Sequence, residues 1–77
     1  MKFFLLVYDK RAGKLREERE YPASEKARAF DERRDLMLQH RLDPNVEVAL
    51  LGAESRDSLI RTHSRYFKTL QELARGA

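Results

Sequence analysis

The chain has 77 residues, no cysteine, and a formal net charge of +3 with 38% of its side chains charged. That length holds one domain, residues 1–77, with a core small enough to be marginal on its own. Disulfides and thiolate metal sites are excluded, no cofactor is implied, and self-association becomes the readiest staple. No segment reaches membrane-spanning length and the N-terminal apolar run is too short for a signal peptide, so a cytoplasmic protein with no membrane contact is expected. Sixteen basic residues stand against thirteen acidic ones, so distribution of charge matters more than its sum.

The run Phe3–Tyr8, FFLLVY, reads as a strand: short, aromatic and aliphatic, and followed directly by a turn signal. It does not alternate apolar with polar. Phe3, Leu5 and Val7 point one way and Phe4, Leu6 and Tyr8 the other, so both faces need cover. Such a strand belongs in the middle of a sheet. Asp9-Lys10-Arg11-Ala12-Gly13-Lys14 reads as a hairpin loop, and Leu15–Tyr21 as the returning strand. Its charges suit an edge, and Pro22 stops it.

Ser24 reads as the N-cap of a helix over Glu25–Leu42, ended by Asp43-Pro44-Asn45. On a helical wheel Ala27, Phe30, Met37 and Leu38 share one stripe, with Arg34 and Arg41 in its middle and Ala29 and Leu36 on the far side. Val46–Leu51 is a third strand. Ser55 or Asp57 caps a last helix over Ser58–Arg75. Its apolar stripe includes Leu59, His63, Tyr66, Phe67 and Leu70, and its opposite side carries Arg61, Lys68 and Arg75 with Arg65 beside them.

The expected fold is a two-layer α+β domain, ββαβα, with a three-stranded sheet of order 2-1-3. Strand 1 is central and antiparallel to both neighbours, so strands 2 and 3 run parallel across the crossover helix. If both helices share one face, Phe4, Leu6 and Tyr8 are left as an apolar patch, the expected interface of a homodimer. A monomer with a helix on each face is the rival arrangement.

The functional signals are modest. The basic ridge Arg61, Arg65, Lys68 and Arg75 suits an anionic partner, although a solvated helix back reads the same way. Arg34 and Arg41 could hold a buried ion pair or an anion, or simply lay their stems on the sheet. His63 lacks the nucleophile and orienting acid of a catalytic site. Paired carboxylates such as Glu17-Glu18 lie in charged surroundings, where general acid chemistry is not expected. The sequence therefore points to a non-enzymatic interaction module acting through homo-oligomerisation and a protein partner. The alternative is a nucleic-acid-binding protein using the basic face of the last helix, and a small enzyme is the residual reading.

Overall fold

A computed structural model describes residues 1–68 of the chain. Its strands are β1 (Lys2–Asp9), β2 (Lys14–Pro22) and β3 (Val46–Ala53), and its helices are α1 (Lys26–Gln39) and α2 (Arg56–Thr62). Short 3-10 turns over Ala23–Glu25 and Ser64–Tyr66 lead into α1 and follow α2. The sheet order is β2-β1-β3, and β1 is antiparallel to both neighbours. The class, the order and the central place of β1 are those expected from the sequence.

The hairpin between β1 and β2 follows from its residues. Asp9 turns back on the loop, its Oδ1 accepting from Ala12 N at 2.9 Å and its carbonyl accepting from Gly13 N at 2.8 Å. Gly13 takes φ 66°, a left-handed conformation that glycine enters without strain. A register shift between Val7 and Tyr8 follows the loop, and Arg16 at that point holds the free Asp9 carboxylate oxygen from 2.5 Å. That side-chain pairing and the Ala12 amide hold the Asp9 carboxyl below the usual carboxylate range, the amide being the stronger cause.

Both faces of β1 are covered, by different helices. Leu5 and Val7 pack with Tyr21 against Ala29 and Leu36 of α1. Phe4, Leu6 and Tyr8 pack on the other face against Leu59 of α2 and Tyr66 just beyond it. The rival arrangement, a helix on each face, is the one adopted. Phe4 and Leu6 are fully buried and Tyr8 nearly so, so these three form core within one chain and not an outward-facing dimer surface. The reason is distribution. Strand β1 splits its bulk evenly between its faces, and one layer of helix reaches only one of them.

The two helices differ from the sequence reading in instructive ways. Ser24 lies in the 3-10 turn, and the N-cap of α1 is Glu25 with no side-chain cap bond. The helix is also rotated: its buried residues are Ala29 and Leu36, while Phe30, Met37 and Leu38 are 45%, 47% and 56% exposed. Small Ala29 lets the helix approach a sheet face crowded by Leu5, Val7 and Tyr21. The rotation also carries Glu32 to Tyr21 and Arg19 on β2. Ser55 does cap α2, accepting from Ser58 N at 3.1 Å. That helix stops at Thr62, short of the expected end. The Thr62 hydroxyl donates to Ser58 O at 2.9 Å, a local bond that competes with helix propagation, and His63 leaves helical geometry at φ −130°. The rest of the expected helix, including Leu70 and Arg75, lies outside the described residues.

Because Leu59 is fully buried on the α2 face, Leu59→Ala is expected to cost about 2–5 kcal/mol in denaturant unfolding. Phe4→Glu places a charge in that same core and is expected to abolish the cooperative transition rather than yield a folded monomer. A folded Phe4→Glu protein of unchanged midpoint would show that α2 does not cover this face.

Candidate functional site

The residues singled out from the sequence are dispersed by the fold. Arg34 is exposed and lies 3.4 Å from Asp31 one turn away. Arg41 is exposed beyond the end of α1. Neither is buried, because the stripe they share with Phe30 and Met37 is the outer flank of the helix. The expected buried ion-pair or anion site at Arg34 and Arg41 is therefore not formed.

The basic ridge is broken in the same way. Its spacing presumes one continuous helix, and the chain leaves that helix at His63. Arg61 and Lys68 are exposed, and Arg75 lies outside the described residues. Arg65 turns back on the domain: its guanidinium bonds Glu47 on β3 at 2.9 Å and lies over the Tyr66 ring at 4.1 Å. His63 becomes the C-cap of α2, its Nδ1 2.9 Å from the Thr62 hydroxyl.

Two tyrosine–glutamate clasps close the domain, one on each face. On the α2 face the Tyr66 hydroxyl donates to Glu47 Oε2 at 2.5 Å, and the ring meets Tyr8 edge-on at 5.2 Å. Burial, and then the neighbouring carboxylate, pushes the Tyr66 phenol up to about 12. The same bond, with Arg65 behind it, holds Glu47 below the usual carboxylate range. On the α1 face the Tyr21 hydroxyl donates to Glu32, which also accepts from Arg28 and Arg19 at 2.8 Å each. The Tyr21 bond first, then Arg28 and Arg19, bring the Glu32 carboxyl down to about 2. These clasps tie edge strands to helices, and every charge in them is paired.

Two features remain open. One is a cleft of about 340 Å³ between the hairpin and the chain after α2, with Leu15, Tyr66 and Phe67 as apolar wall and Lys14, Arg56 and Lys68 as cationic rim. Arg56 is already held by Glu18 at 2.7 Å and stacks over Phe67, so Lys14 and Lys68 are the cations there with no carboxylate partner among the described residues. The other is the outer flank of α1, where Met37 stands beside β3 and Phe30 lies two turns earlier along the same flank. Met37, His40 and Arg41 line a shallow hollow with Val46 and Val48. Strand β3 has a single neighbour in the sheet, and its other edge is open among the described residues.

The sequence carries a signal for this second feature: Phe30, Met37 and Leu38 form a stripe on the helical wheel, and the fold leaves that stripe half exposed where apolar periodicity predicts a core-facing side. Among the described residues no three His, Asp or Glu side chains gather as for a metal ion, and no helix is long and apolar enough to cross a membrane. Comparison with protein-family models, with curated proteins and with solved structures finds no match.

The clasps give this fold a defined pH response. Glu32 binds its proton less tightly when folded, so it stabilises the fold above the ordinary glutamate range and loses that contribution as pH falls towards about 2. Thermal melts between pH 5 and 2 are expected to fall less steeply for Glu32→Gln than for the natural chain, and parallel curves would contradict this. Tyr66 binds its proton more tightly when folded, so its contribution holds below the ordinary tyrosine range and is lost as pH rises towards about 12. Tyr66→Phe is expected to lower the melting temperature at neutral pH and to remove the part of the alkaline loss that spectrophotometric titration assigns to this phenol.

Proposed function

We propose that this protein is a non-enzymatic interaction module that self-associates and presents a surface to a protein partner in the cytoplasm. The observation that carries the reading is the flank of α1. Phe30, Met37 and Leu38 are about half exposed in a chain whose core has little apolar area to spare. Large apolar side chains gathered on one exposed helix flank mark contact surfaces. Aromatic residues, methionine and arginine are the types enriched in such surfaces, and Arg34 and Arg41 flank these three. The carboxyl and phenol groups with displaced protonation are Asp9, held in the hairpin by Ala12 and Arg16, and Glu32, Glu47, Tyr21 and Tyr66, engaged in the clasps, which fits a structural role better than proton transfer. The cysteine-free composition suits a reducing compartment.

A second reading rests on the cleft. Lys14 and Lys68 at its rim, with Arg61 exposed nearby in sequence, offer an anionic partner such as a nucleic-acid backbone a few contacts. It is the weaker reading, because Arg65 and Arg56 already have carboxylate partners.

Sedimentation across a concentration series separates the two. The natural chain is expected to dimerise, and Phe30→Glu with Met37→Glu, both at exposed positions, is expected to weaken self-association at least roughly tenfold, about 1.4 kcal/mol, with the melting temperature nearly unchanged. A natural chain that stays monomeric at every concentration overturns self-association. Binding of single-stranded nucleic acid that falls steeply with salt and is lost in Lys14→Glu with Lys68→Glu would favour the second reading.

A further inference from the structure

Resting on that reading, we infer that the partner on this surface is a second copy of the same chain, joined edge to edge through β3 so that two three-stranded sheets become one of six strands. The two borders of the sheet are unlike. Strand β2, KLREEREYP, ends in proline and carries charges along its length, the usual protection of an exposed edge. Strand β3, VEVALLGA, has one charged residue. That residue, Glu47, is turned to Arg65 and Tyr66 on the α2 face. Among the described residues, eight residues of open strand remain on the side of the molecule where α1 shows its apolar flank.

The two features lie together. At about 100° per residue, Phe30, Met37, Arg34 and Arg41 occupy one flank of α1, and Arg28 and Glu32 the other. Arg28 and Glu32 reach β2 through Tyr21 and Arg19, whereas Met37 and Arg41 border Val46 and Val48. The flank therefore overhangs the open edge. Strands pair at about 4.8 Å. A two-fold axis normal to the sheet, just outside β3, then sets the two α1 helices antiparallel and side by side on one face. Phe30 and Met37 of the two copies meet above the new strand pair. A strand pair alone covers little apolar area, and the half-exposed Phe30 and Met37 of the α1 flank add to it, towards the roughly 800 Å² from each partner that a stable complex needs.

The geometry makes a sharp test. With both α1 helices on one face, opposed residues of β3 and its copy must share a face, so one residue of β3 faces itself across the axis. Its Cα lies about 5 Å from its own copy, within the span of a disulfide. A residue two places along lies roughly 14 Å from its copy, far outside that span. The chain has no cysteine, so single substitutions Glu47→Cys, Val48→Cys, Ala49→Cys, Leu50→Cys and Leu51→Cys can be oxidised and compared. One position is expected to give disulfide-linked dimer in roughly tenfold greater yield than positions two residues away. Alternate β3 amides of the natural chain are expected to gain hydrogen-exchange protection only at concentrations where sedimentation shows dimer. A dimer that shows neither the yield maximum nor the added protection overturns edge pairing and leaves self-association standing. A natural chain that remains monomeric overturns both.

Discussion

The domain depends on a single strand that is oily on both sides. Strand β1 carries Phe4, Leu6 and Tyr8 on one face and Leu5 and Val7 on the other. Each set is large enough that leaving it in water would cost several kcal/mol at about 25 cal/mol per Å² of apolar area. Two antiparallel neighbours satisfy the backbone of β1, and a helix on each side satisfies its side chains. A 7-residue helix suffices on the second face because Leu59, Tyr66 and Phe67 arrive there together. The break at His63 changes the direction of the chain after the helix, and Tyr66 reaches both Tyr8 and Glu47 from there.

The two tyrosine–glutamate clasps follow from the same constraint. Edge strands of a three-stranded sheet are half covered, and polar side chains must settle where the helices end. Tyr21 and Tyr66 each place an apolar ring in the core and a hydroxyl at its rim. In both cases a carboxylate accepts from that hydroxyl and an arginine completes the network. The arginines are partly exposed, so the gain lies in orientation more than in charge.

Much of this was legible in the residues. The unbroken apolar run of β1 predicts a central strand, the charged β2 an edge, and the Asp9–Gly13 segment a hairpin, and all three are found. Ser55 as a helix cap was equally plain. What could not be read was rotation and continuity. Ala29 and Leu36 are buried in place of Phe30 and Met37 because a small side chain allows close approach to a crowded sheet, a fact about the partner surface that helix periodicity does not contain. The stop at Thr62 is a local competition between hydroxyl and backbone, and the apolar spacing beyond it runs on as if nothing intervened. The same rotation decides the surface proposed for self-association, since periodicity alone places Phe30 and Met37 in the interior.

The unlike borders of the sheet carry a consequence for how far assembly can go. Each molecule has one plain rim, β3, and one guarded by charge and ended by proline, β2. A two-fold union consumes both plain rims and leaves only guarded ones facing outward. Under the proposed union, growth by strand addition would end at a closed pair, and a small protein with a sticky border would escape the open-ended stacking that leads to fibrils.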